Sequence, residues 1–133
     1  MKIKLIVHLF VMIVLINNSS KSNAQRTVHW IGGTPGRTAD WFCSKNWSND
    51  KIPDEFSIVT ITDKSTSTLI YPVINNGEVK IWQLHIVSAA TLTLKSFAKL
   101  EVLDCYNVPN LKSIKNQGQL KIPLSHHILA YDR

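Results

Sequence analysis

The chain has 133 residues, 44% of them hydrophobic, and a formal net charge of +6, which limits it to one small domain. Three of the lysines, Lys2, Lys4 and Lys21, lie within the segment 1–24, so the remainder carries only +3. A modest, dispersed charge of this kind argues against a nucleic-acid-binding protein, and we expect no nucleic-acid partner.

The N-terminal segment 1–24 has the pattern of a secretory signal peptide. A charged start is followed by the apolar run 5–16 and by the small residues Ser22 and Ala24 ahead of Gln25. A membrane span needs about 20 apolar residues, which this run does not reach, so an uncleaved anchor is the weaker alternative. We predict cleavage after Ala24, a mature chain 25–133 with no membrane span, and a secreted or cell-surface location, with the periplasm also possible.

Residues 25–56 form a turn-rich segment that contains three of the four tryptophans: Trp30, Trp41 and Trp47. Exposed tryptophans can stack on sugar rings, which would make this segment a carbohydrate-binding site. Alternatively, the three rings pack over one end of a repeat structure and cap it. The sequence alone favours the cap and leaves the sugar site as its rival.

Two cysteines remain after the signal, Cys43 and Cys105. In an oxidising compartment such a pair is a disulfide candidate. The bridge would close a loop of about 60 residues and stabilise the fold by about 4 kcal/mol in chain-entropy models. Two separately buried thiols are the alternative.

No cluster of residues predicts a metal or a cofactor. Asp40, Asn46, Asn49 and Asp50 offer oxygens, but their spacing matches no calcium-binding loop and suits turns and caps instead. The adjacent His126 and His127 would point to opposite faces of a strand, so they rarely chelate one ion. We therefore predict no metal site, no cofactor and no catalytic residues.

Residues 57–124 alternate apolar and polar side chains in short runs, which predicts half-buried β-strands. No helical period appears after the signal, so the fold class should be all-β. The predicted strand runs are residues 57–62, 78–87, 90–96, 99–104 and 119–124.

Several strands share a polar-Leu-polar-aliphatic unit. Its leading leucines are separated by 8, 8, 11 and 9 positions, and the copy at residues 110–113 is degraded because Ser113 occupies its aliphatic position. Regular spacing with a recurring residue type favours a short right-handed β-solenoid, with a turn at residues 116–118 and a tail at residues 125–133. A small β-sandwich is the alternative. The leading leucines are Leu84, Leu92, Leu100, Leu111 and Leu120.

The order of these motifs resembles the N-terminal cap and first coils of exported bacterial β-solenoid surface proteins, which are often adhesin-like. The resemblance covers about residues 28–122 and rests on joint order, because each motif is short. It implies a Trp-rich cap followed by stacked coils. The matching positions in the first part are Trp30, Trp41, Asn46, Trp47, Pro53, Val59, Ile61, Pro72, Val73 and Ile74. Those in the repeats are Leu84, Ile86, Leu92, Leu94, Leu100, Val102, Asn116 and Gly118.

From this we expect an exported, non-enzymatic domain with a structural or adhesive role at the cell surface. Its partners would be a surface glycan or neighbouring solenoid coils, and self-association through the C-terminal end is expected. The alternatives are a small carbohydrate-binding module that uses the tryptophans, and a truncated remnant of a larger solenoid adhesin or enzyme. An in-frame downstream continuation with more repeats would favour the remnant.

Overall fold

The computed structural model describes residues 24–63, 69–87, 89–104, 107 and 109–123. These residues form β-strands and short 3₁₀ turns with no α-helix among them, so the predicted all-β class is confirmed. No helix within the described ranges is long and apolar enough to cross a membrane. The strands are β1 (Arg26–His29), β2 (Ser57–Thr62), β3 (Val73–Ile81), β4 (Gln83–Val87), β5 (Leu92–Val102), β6 (Ile114–Asn116) and β7 (Gln119–Lys121); the 3₁₀ turns are Ser44–Asn46 and Leu111–Ser113.

The strands pair in parallel within two sheets. The first sheet has the order β1-β2-β4, and in the second β5 pairs with β3 on one side and with β6 and β7 on the other. Parallel neighbours cannot be joined by a hairpin. From β2 to β5 the chain leaves one sheet, contributes a strand to the other sheet, and then returns beside the strand it left.

This path arranges the strands in four successive rows. The top row is β1 together with Asp40, which forms a bridge to Val73; the second is β2 with β3, the third is β4 with β5, and the last is β6 with β7. Residues that pair across rows, such as Ile58 with Gln83 or Lys99 with Gln119, are far apart in the chain. The second and third rows each contribute a strand to both sheets, whereas the two described strands of the last row both belong to the second sheet.

Apolar side chains of successive rows lie in register and build the core. Val79 is paired with Leu100 and Leu100 with Leu120, while Ile81 is paired with Val102. In the first sheet the corresponding ladder is Val28, Val59 and Leu84. These ladders keep like side chains in contact, which removes apolar surface from water at every row.

The second sheet bends sharply between its two halves. The pairing of β3 with β5 shifts register between Ile74 and Asn76, and the bend continues through Gly77, which has φ of +81° and is paired with Ala98. In the last row Gly118 occupies the bend, and a Cβ atom there would lie 2.5 Å from the carbonyl oxygen of Lys95. A glycine is needed at 118 because the rows approach each other by their backbones there, whereas at Gly77 the positive φ is what favours glycine.

The predicted strand runs overlap the observed strands but differ from them in several places: β1 and β6 lie outside the predicted runs, and β7 is shorter than the run at 119–124. The run at 57–62 is β2, whereas the run at 78–87 is divided at Trp82, where the chain passes from the second sheet to the first. The runs at 90–96 and 99–104 belong to the single bent strand β5. The degraded unit forms the 3₁₀ turn Leu111–Ser113, because the Asn110 side chain accepts a hydrogen bond from the Lys112 amide and holds a turn.

The spacing of the leading leucines is not the interval at which the rows repeat, contrary to the expectation from the sequence. Leu84, Leu92 and Leu100 lie in the same third row, on β4 and on the two halves of β5. The residue paired with Leu92 from the last row is Ile114, and the residue paired with Leu100 is Leu120. A spacing of 8 residues therefore separates two segments of the same row. Equivalent positions in successive rows are much further apart in the sequence, as Leu92 and Ile114 are.

Candidate functional site

The first candidate site is the tryptophan cluster of residues 25–56. Trp30, Trp41 and Trp47 have no exposed surface. The ring of Trp47 meets Trp30 edge-on with centroids 4.9 Å apart, and Trp41 edge-on with centroids 4.7 Å apart. Edge-to-face contacts of this kind are favourable beyond the area they bury. We call these three residues the tryptophan cap.

Two indole nitrogens of the tryptophan cap fix the chain around it. Trp30 Nε1 donates to the carbonyl of Ile70 at 2.8 Å, and Trp47 Nε1 donates to the carbonyl of Trp41 at 2.9 Å. Backbone bonds attach the cap to the rows, since the Trp30 amide donates to Thr60 and the Trp41 amide to Val73. The tryptophan cap therefore closes the upper end of the core.

Asn46 organises the loop beside the cap and is itself fully buried. Its Nδ2 donates to the carbonyls of Arg37 at 2.7 Å and Asp40 at 3.0 Å, while its Oδ1 accepts from the amide of Thr34 at 3.0 Å. Three bonds from one buried amide compensate for removing it from water. The sequence motif contained Asn46, but nothing in it revealed these backbone partners.

The structure does not place the three tryptophans as a carbohydrate-binding surface. A sugar ring stacks on an aromatic face that is open to solvent, and these rings have no such face because they pack against one another and the core. The sugar-binding prediction for Trp30, Trp41 and Trp47 is therefore corrected. Their position matches the capping alternative.

Cys43 is buried, with 5% exposure, and has no disulfide partner among the described residues. Its amide donates to the carbonyl of Asp40 in the top row. Cys105 lies outside the described residues, and its described neighbour Asp104 donates its amide to Trp82 and accepts a bond from Gln83 of the third row. The pairing of Cys43 with Cys105 stays a prediction.

The oxygen-bearing residues of the cap segment serve the loop itself. Asp40 pairs with Arg37 at 2.6 Å and accepts from the Phe42 amide at 2.9 Å, while Asp50 pairs with Lys45 at 3.0 Å. The described part of the chain contains no group of three or more His, Cys, Asp or Glu side chains that could hold a metal ion. His126 and His127 lie outside the described residues.

A second candidate site is an exposed face of the second sheet. Two columns of side chains cross its rows: Glu78, Lys99 and Gln119 form one, and Lys80, Glu101 and Lys121 form the other. The Glu101 carboxylate binds Lys121 Nζ at 2.6 Å and Lys80 Nζ at 3.2 Å. We call these six residues the charged face.

Charge pairing on this face changes two ionisation equilibria. Hydrogen bonds from Lys121 and Lys80 hold the pKa of Glu101 below its ordinary value of 4.5. In return, the hydrogen bond to Glu101 raises the pKa of Lys121 above its ordinary value. Both side chains therefore stay charged over the physiological range.

A shallow depression of about 220 Å³ lies on the charged face. Its lining includes Glu78, Lys99, Glu101, Gln119 and Lys121. These groups can donate hydrogen bonds to a polar ligand or accept them from it, but Glu101 and Lys121 already bind each other. The depression suits contact with another polar surface better than enclosure of a small molecule.

No family model, no curated protein and no solved structure matches this chain.

Proposed function

We propose that the chain folds as a short right-handed β-solenoid with a tryptophan-rich cap. Support comes from the parallel pairing of alternate strands and from side-chain ladders that continue from row to row. A β-sandwich is usually built from antiparallel strands joined through hairpins and Greek-key links. The right hand is the one that parallel crossovers almost always take.

We further propose an exported, non-enzymatic protein with a structural or adhesive role at the cell surface. The single observation that carries this proposal is the charged face, an exposed surface on which polar side chains repeat in register over three strands. A regular polar surface of this type, with only a shallow depression in it, fits another extended surface. Adhesive contact with a polar or glycan-bearing surface is the function that such a geometry serves best.

Export is tested by the mass of the mature protein. In a bacterium that exports the chain, the secreted product should begin at Gln25, and Ala24→Leu should block cleavage because signal peptidases require small residues at the cleavage site. Lys112→Glu, outside the signal, serves as the control and should be processed normally. Secreted protein that still carries residues 1–24 would contradict the export proposal.

Adhesion is tested with a pair of variants that change the net charge equally. Residues 25–133 are applied to glycan arrays and to bacterial and host cell surfaces, with Lys99→Glu on the charged face and Lys112→Glu on the exposed 3₁₀ turn. Lys99→Glu should weaken binding at least tenfold, and added salt should weaken wild-type binding. Equal binding by both variants, or binding by neither the variants nor the wild type, would refute the adhesive surface.

A further inference from the structure

The sharp bend of β5 extends beyond the strands on both sides of it. On one side, the four residues 94–97 of β5 lie opposite the three residues 74–76 of β3. On the other side, the six residues 94–99 lie opposite the four residues 116–119. Extra residues of this kind bend a strand and re-aim its side chains, and such bulges are over-represented next to active sites. We call residues 95–97 the bulge; all three are exposed.

Phe97, at the end of the bulge, has an aromatic ring that is open to solvent. Its side chain is 84% exposed, the largest value among the large hydrophobic residues that the structure describes. The next residue, Ala98, is 1% exposed and belongs to the core, and successive side chains of a strand point to opposite faces. Phe97 therefore faces outward and packs little, so the core does not account for an aromatic residue at this position.

Polar side chains lie beside the Phe97 ring. Asn76 is exposed and is paired with Phe97 from the second row, so the two backbones are one strand spacing apart, about 4.8 Å. Lys99 lies two residues further along β5, about 6.6 Å away, and is exposed on the same face. Its partner Glu78 lines the shallow depression with it. An amide, an ammonium group and a carboxylate therefore lie around one exposed aromatic ring.

We propose that Phe97 and the adjoining part of the charged face form a carbohydrate-binding site, in which a pyranose ring stacks on the Phe97 ring. The apolar face of such a sugar fits an aromatic plane, and its hydroxyl groups, which both donate and accept, match Asn76, Lys99 and Glu78. A protein partner would need an apolar contact area larger than one ring supplies. This inference rests on the proposed adhesive role and names the chemistry of the surface that is bound.

The test measures binding of the purified protein to an immobilised array of neutral and acidic oligosaccharides. Phe97→Trp keeps an aromatic plane and should bind at least as well as wild type, whereas Phe97→Ser and Phe97→Leu should each weaken binding about tenfold or more. Because Phe97→Leu keeps an apolar side chain, it separates stacking from general apolar contact. Leu111→Ser removes another exposed apolar side chain, on the 3₁₀ turn, and is the matched control that should bind as wild type does.

The outcomes separate this site from the adhesive role on which it rests. If Phe97→Ser bound as well as wild type while Lys99→Glu bound less, adhesion would stand and the ring would be excluded as the platform. Equal binding by Phe97→Leu and wild type would overturn stacking. A wild-type protein that binds cell surfaces but no oligosaccharide would keep the adhesive role and exclude a sugar as its partner. A wild-type protein that binds neither would refute adhesion and this site together.

Discussion

At the scale of single residues, buried polar groups hold the irregular part of the molecule together. Asn46 replaces water with three backbone partners from a loop that has no strand ladder of its own. The sequence showed an asparagine between two tryptophans, which suggested a residue of a turn or cap and not a cation ligand. Its actual role depends on where Thr34, Arg37 and Asp40 come to lie in space, and no local pattern encodes that.

Asn46→Ala should lower the free energy of unfolding by about 2–4 kcal/mol. It leaves the Thr34 amide and two carbonyls without their partner and removes a buried side chain. Chemical denaturation measures the change. Asn49→Ala is the matched control, because Asn49 is exposed and makes one bond within its own turn; it should cost about 1 kcal/mol or less. Similar costs for both would show that the loop does not depend on Asn46.

Gly118→Ala should destabilise the fold more than Gly33→Ala does. A methyl group at Gly118 collides with the backbone oxygens of Ala98 and Lys95, which cannot move without separating the rows. At Gly33 there is open space, and the substitution costs only the strain of φ +81°, about 1–2 kcal/mol. The loss of Tm is measured for both variants. A smaller loss in Gly118→Ala than in Gly33→Ala would contradict the close approach of the backbones at Gly118.

At the scale of elements, the alternation of β5 was readable from the sequence because a strand places successive side chains on opposite faces. Leu92, Leu94, Leu100 and Val102 are buried as predicted, and Lys99 is exposed. The bend at Lys95, Ser96 and Phe97 was not readable, since three successive exposed residues look like a break between two strands. The pairing partner of each strand could not be predicted either, because residues that pair across rows are far apart in the sequence and no local pattern connects them.

Phe97→Ser should leave the free energy of unfolding within about 0.5 kcal/mol of wild type, because its side chain is 84% exposed. Leu94→Ala, on the same strand and fully buried, should cost about 2–5 kcal/mol through lost transfer energy and a residual cavity. Denaturant titration of the two variants gives both values. A large loss at Phe97 would mean that this ring is covered in solution.

Acid should weaken the pairing between β3, β5 and β7. The pKa of Glu101 is lowered in the folded chain by Lys121 and Lys80, so its contribution is present above the unfolded pKa. It is lost as the pH falls through the lower, folded pKa. The Tm of wild type should therefore fall between about pH 5 and pH 2, and Glu101→Gln should reduce that fall. Glu55→Gln, at an exposed turn, is the control and should show the same fall of Tm with acid as wild type. If the Tm of Glu101→Gln also fell as steeply as that of wild type, the contribution of Glu101 would be excluded.

At the scale of the whole molecule, the first and the last of the described strands differ in how well their core residues are covered. The upper end is closed by three buried tryptophans, whereas Leu120 and Ile122 at the lower end remain partly exposed. The sequence indicated the burial of the tryptophans only through their clustering before the first predicted repeat, and the division into cap, repeats and tail stays a prediction. Amide exchange should therefore be slowest in β2 and β3 and fastest in β7, since rows at an open end unfold locally first. Faster exchange in β2 and β3 than in β7 would contradict this order.

The register between rows has a consequence for how such a chain can grow. Ile81 is paired with Val102, so a tandem copy of residues 82–102 would begin and end at equivalent points of one pass. Such a duplication would continue the apolar ladders, but Lys99 and Glu101 would each face a copy of itself instead of the partners they have now, and like charges on neighbouring strands repel. Lengthening this fold by copying one segment of the gene would therefore extend the core and require new charge pairing at the surface.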